Sequence, residues 1–183
     1  MPVCISLLRG INVGAHKRIK MDMLRASFET LGFEQVQTYI QSGNVIYNTT
    51  RLSPAVLSKR IEERILTDFG FPVSVVSRTA GEMAKAIDDN PFVKKHGIDL
   101  EKLHVMFLSD APAAPALKKL AALTAAPDQS CCLSKEIYLY LPNGTANSSL
   151  MKSPLDRLLS VVTTTRNWRT VNAIHLMCQE CSG

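Results

Sequence analysis

Gln41, Ser42 and Asn44 crowd two amides and a hydroxyl around Gly43, inside TYIQSGNVIYN at residues 38–48. That is more hydrogen-bonding capacity than a reversal of chain direction requires. The groups fit contact with a ligand and fit bonding within their own turn equally well. A second set lies in RGINVGAHKRIK at residues 9–20, where Arg9, Lys17, Arg18 and Lys20 accompany Asn12, Gly10 and Gly14. Guanidinium forks and turn N–H groups both suit a phosphate or carboxylate. The spacing is neither GxGxxG nor GxxxxGK[ST], and the segment does not read as running straight into a helix N-terminus. Taken alone, the charge run reads as a solvated face ahead of an anion site. A third set is Arg166 and Asn167, just before Trp168; Asn167 equally suits a helix N-cap, and Trp168 falls on an apolar helical stripe.

Classical catalytic chemistry has few candidates. His16 is flanked by cations, and His96, His104 and His175 lie outside the three segments, which also contain no acid that could act as a general base. Five cysteines form an odd set that fits reduced thiols in a cytoplasm. Cys178 and Cys181 have CxxC spacing with His175 upstream, but a structural zinc site wants four ligands, so no metal or cofactor is expected. The sequence start has only a short apolar run with no basic residues before it, so neither a signal peptide nor a membrane span is expected.

The elements that must position these groups follow from periodicity. With 46% hydrophobic and 20% charged residues, the 183-residue chain has the composition of a folded globular protein. Its net charge of +5 is uneven: Arg9, Lys17, Arg18 and Lys20 are the only charged residues of the first twenty. Val3–Leu8 is an apolar run suited to a central strand. Met21, Leu24, Phe28 and Leu31 follow at helical spacing, and Tyr39, Ile40 and Val45–Ile46–Tyr47 form a hairpin around Ser42, Gly43 and Asn44. Ser53–Pro54 starts a helix with Leu57, Ile61, Ile65 and Phe69 inside, and residues 72–77 make a further strand. This order is that of a ferredoxin-like α-β plait, in which the first two strands run parallel, so the cationic loop and the Gln41–Asn44 turn should face each other.

Thr79 to Glu82 is a capping box. The second half repeats strand, helix, strand, strand, helix, then departs: residues 163–168 read as the opening of a helix where a last strand belongs. The expected architecture is therefore α+β, with two plait subdomains at 1–92 and 93–183, the second incomplete and ending in a helix.

LLRGINVGAHKRIKM, TYIQSGNVIY and TTTRNWRTV together resemble the motifs of a bacterial family known as domain of unknown function 1697. The resemblance extends to Asn90–Pro91–Phe92 and to Leu-Pro-Asn-Gly at residues 141–144. It implies a two-part plait and no agreed activity, and marks Arg9, Gly10, Asn12, Gly14, Gln41, Ser42, Gly43, Asn44, Arg166, Asn167 and Trp168 as motif positions. Ala15 and Ser148–Ser149 depart from that pattern, the latter removing a cation unless Lys152 replaces it.

The expected ligand site is Arg9, Asn12, Lys20, Gln41, Ser42, Asn44, Arg166 and Asn167, holding a phosphorylated or other anionic small molecule. A nucleic-acid partner is less well supported, because the first strand has no aromatics and only Tyr39 is placed to stack on a base. Two further readings stay open: an enzyme that works by orienting its substrate, and a structural protein whose motifs lock its parts together.

Overall fold

The computed structural model describes residues 1–181. The chain divides into two compact units, Met1–Lys85 together with the chain from Ala173, and Ala86–Asn172. Each contains a four-stranded antiparallel sheet, and seven α-helices are present among the described residues, making the fold mixed α+β.

Unit 1 begins with β1 (Val3–Leu8), buried along its whole length as an apolar run between two strands must be. Then come α1 (Met21–Thr30), β2 (Glu34–Tyr39), β3 (Asn44–Asn48), α2 (Pro54–Phe69) and β4 (Val75–Thr79). The sheet order is β2-β3-β1-β4. Ser53 caps α2 by accepting from the Val56 N–H, and Gly70 ends it at φ 76°, a left-handed turn that glycine adopts without strain. Leu24 and Phe28 of α1 and Leu57, Ile61 and Ile65 of α2 pack on Cys4, Leu8, Val45, Tyr47 and Val75. Ile5, Leu7, Ile46 and Val76 on the opposite sheet face are buried too. β4 starts three residues later than the strand expected at 72–77. Pro72 has no N–H for a ladder, and Ser74 gives its carbonyl to the Arg9 N–H.

The capping box forms: Glu82 Oε2 accepts from the Thr79 N–H at 2.8 Å, and Thr79 Oγ1 accepts from the Glu82 N–H at 3.1 Å, opening α3 (Ala80–Asp88). Unit 2 contains β5 (Leu103–Leu108), α4 (Ala114–Leu123), β6 (Gln129–Leu133), β7 (Glu136–Tyr140), the short α5 (Ser149–Lys152) and α6 (Leu155–Leu159), and β8 (Thr163–Asn167). Its sheet order is β6-β7-β5-β8.

The expectation of an incomplete second sheet is therefore corrected. Residues 163–167 are a strand paired to β5 with Leu108 opposite Thr163 and His104 opposite Asn167, and the helix α7 (Trp168–Cys181) starts only at Trp168. The segment is rich in β-branched residues, but its three threonines and an arginine hide a strand that is nonetheless largely buried. Their polar groups are satisfied inside: Asp156 Oδ1 accepts from the Thr163 N–H and Oγ1, and Arg166 donates to Thr164 Oγ1 at 2.8 Å and to the Thr165 carbonyl at 3.0 Å. Burial pulls the Arg166 guanidinium down to about 10, which leaves it charged at neutral pH.

Candidate functional site

The two loops singled out in the sequence do meet within unit 1. Asn12, at φ 55°, is the clamp. Its side-chain Oδ1 accepts from the Ile19 N–H at 2.9 Å, while Nδ2 donates to the Ile19 carbonyl at 3.0 Å and to the Gln41 carbonyl at 2.9 Å. Both amide hydrogens and the amide oxygen thus fasten the 9–20 loop to itself and to the hairpin tip. The Asn12 N–H donates to the Lys17 carbonyl, closing the same ring. Beneath it the Leu8 N–H donates to the Gly43 carbonyl at 2.8 Å, an approach only glycine permits: a Cβ at Gly43 would stand 2.7 Å from Leu8 Cβ and 3.0 Å from Ile11 Cδ1. Ile40 joins Gly43 in the left-handed region, at φ 49°, a costly conformation for a β-branched residue held here at the exposed tip.

Against this clamp lies a recess of about 690 Å³, lined by Asn12, Arg18, Lys20 and Gln41 and by the start of α1. Lys20 is the N-cap of that helix, so the cationic loop runs directly into a helix N-terminus, contrary to the sequence expectation. The N-cap side chain, an ammonium, accepts nothing, and among the first turn's N–H groups that of Met23 is met by Asp22 Oδ1 at 2.9 Å. Arg25, one turn on, completes a trio of cations with Arg18 and Lys20, and its guanidinium also donates to Thr38 Oγ1 at 3.0 Å. Met21, Met23 and Phe69 supply the apolar part of the wall.

Of the eight expected site residues, Asn12, Lys20 and Gln41 therefore share this recess. Arg9 is exposed and is not among the residues lining it; its N–H serves the Ser74 carbonyl. Asn44 is fully buried, donating to the Tyr39 carbonyl and to Ser42 Oγ, so both residues bond within the turn. Lys17 extends away to the Pro72 carbonyl at 2.8 Å. Arg166 and Asn167 belong to unit 2, where Asn167 Oδ1 accepts from the Thr170 N–H at 2.8 Å as an N-cap of α7. Sequence reasoning missed Arg25, Met23 and Phe69, which look like ordinary members of amphipathic helices. The available signal was that the loop's last cation abuts Met21, so the first turn of α1 had to stand beside it.

No cluster of three His, Cys, Asp or Glu side chains able to hold a metal occurs among the described residues. Burial pushes the Cys178 thiol up to about 12, and burial followed by the Glu180 charge raises that of Cys181, which leaves neither poised as a thiolate. No helix of the described chain is long and apolar enough to cross a membrane.

No functionally curated protein matches the chain. Among solved structures, the conserved bacterial protein SP0830 from Streptococcus pneumoniae superposes with a TM-score of 0.76 at 23% identity, over 97% of this chain and 98% of that one. That likeness concerns the fold. The model of the family described as protein of unknown function (DUF1697) matches residues 1–138, which spans the clamp, the recess and the hairpin, and the chain belongs to that family.

Proposed function

We propose that the recess of unit 1 holds the anionic group of a small molecule. The observation that supports this reading is that Arg18, Lys20 and Arg25 line one recess at the N-terminus of α1, with Asp22 the one acid among its lining residues. The helix dipole and the first-turn N–H groups add to the pull on an anion. Asn12 acts as a positioning residue, since its amide already holds the two loops together. A nucleic-acid backbone would draw on cations spaced along a surface, whereas these share one concavity. Each unit is read as an α-β plait, a reading supported by the sheet orders, and the five free cysteines favour the cytoplasm as its compartment.

The test is calorimetric titration of the full chain with inorganic phosphate and pyrophosphate at two salt concentrations. Binding is expected to weaken with salt and to fall about tenfold in Lys20→Ala and in Arg25→Ala, the loss of one charge-assisted hydrogen bond of ~1.5 kcal/mol. Affinity indifferent to salt and to both substitutions overturns the reading.

A further inference from the structure

Resting on the anion site just proposed, we infer that its ligand is a phosphate ester carrying a flat ring with a hydrogen-bonding edge, the chemistry of a nucleoside monophosphate. A second recess of about 310 Å³ lies between α1 and α2, and Met23 and Phe69 line both it and the larger one. The two therefore adjoin at these side chains, and their character changes from one to the other. One end carries Arg18, Lys20 and Arg25; the middle is the thioether of Met23 and the ring of Phe69; the far end carries Ser27, Arg64 and Asp68.

Orthophosphate would occupy only the first of these regions. The volumes fall in the ~300–1,000 Å³ range of small-molecule sites, where apolar walls take the body of a ligand and a few placed polar groups orient it. Phe69 is half-buried and is the one aromatic residue lining either recess, the side chain a flat ring would pack against, and Ala26 lines the second recess with only a methyl group. The far end argues against an acyl chain, which would want apolar walls throughout. Asp68 Oδ2 accepts from Ser27 Oγ at 2.5 Å and from Arg64 Nε at 2.8 Å, so the carboxylate is held in a fixed orientation. Burial pushes its carboxyl up, but those two bonds and the Arg64 charge hold it below the usual carboxylate range. An ionised, oriented acceptor beside a donor-bearing guanidinium suits the edge of a heterocycle better than a hydrocarbon end.

The experiment titrates the full chain with inorganic phosphate and with each of the four common nucleoside 5′-monophosphates, then repeats both on Ala26→Trp, which fills the second recess. At least one nucleotide is expected to bind ten-fold or more tighter than phosphate, and Ala26→Trp to bring that ratio close to one. Should that variant fail to fold, Asp68→Asn is expected to change the ranking among the four nucleotides. Nucleotides that bind no tighter than phosphate, a ratio that survives Ala26→Trp, or an unchanged ranking in Asp68→Asn overturns the inference and leaves the anion site standing. Absence of binding by phosphate and nucleotides alike removes the anion site itself.

Discussion

The two units close their sheets with the same backbone bonds and then spend chain in different places. In unit 1 the Leu8 N–H donates to the Gly43 carbonyl and the Arg9 N–H to the Ser74 carbonyl; in unit 2 the Leu108 N–H donates to the Lys135 carbonyl and the Ser109 N–H to the Val162 carbonyl. Both last strands place a buried arginine opposite the same point of the central strand, Arg78 across from Ile5 and Arg166 across from Val105. Both then cap a helix, from Thr79 and from Asn167. What differs is the connection from the first strand to the first helix. In unit 1 it is the cationic 9–20 loop, clamped by Asn12; in unit 2 it is residues 109–113, which pass directly to α4. The shared frame is what stability needs, and the extra loop of unit 1 goes instead into the wall of the recess.

The largest effect should appear where the extra loop presses on the frame. Gly43 is at φ 80° with Leu8 and Ile11 against it, whereas its counterpart in unit 2 is a lysine. Gly43→Ala is expected to cost ~3 kcal/mol, from combined left-handed strain and overpacking, while Lys135→Ala stays within ~0.5 kcal/mol. Urea denaturation of both variants measures this, and equal losses would break the comparison.

The same contrast explains what the residues disclosed in advance. Strands and helices with undiluted periodicity, Val3–Leu8 and the stripe of α2, were legible because burial demands one residue type at one spacing. So was the meeting of the two loops, which follows from parallel first and second strands. β8 was not legible, because Thr163, Thr164 and Arg166 are buried through hydrogen bonds, and polarity then masks the alternation. Nor was the division of labour inside the motif. Asn12 and Asn44 have the same side chain and similar neighbours, yet one clamps two loops at the wall of the recess and the other is buried within its turn. Only the third dimension separates them.

The two strand-to-helix junctions offer a finer test. Thr79→Ala and Asn167→Ala each remove an N-cap acceptor, and each is expected to cost ~1 kcal/mol. The junctions differ three residues on, where Glu82 Oε2 accepts from the Thr79 N–H and the corresponding residue after Asn167 is Thr170. Glu82→Ala should therefore destabilise measurably, by ~0.5 kcal/mol, and Thr170→Val should leave the cap itself intact. Thermal melts of the four variants decide it; a Glu82→Ala protein as stable as the parent would reduce the capping box to a single cap.

The smallest effect is one of pH. The carboxyl of Asp68 is pushed up by burial but held below its ordinary range by Ser27 and Arg64, so its folded-state value lies beneath its unfolded one. A group shifted that way contributes stability that is complete above the unfolded carboxylate range and is lost as pH falls through that range to the folded value. The pair with Arg64 is partly open to solvent, which limits the contribution to under ~1 kcal/mol. In unit 2 the ion pair of Lys135 with Asp110 spans 3.8 Å and is largely exposed. Denaturation followed from pH 7 into acid should therefore show a shallower decline in Asp68→Asn than in the parent, with Asp110→Asn tracking the parent. Since Ser27 and Arg64 reach the same carboxylate oxygen, Ser27→Ala should recover only part of that difference, and a Ser27→Ala profile matching Asp68→Asn throughout would mean that Arg64 contributes nothing to the shift.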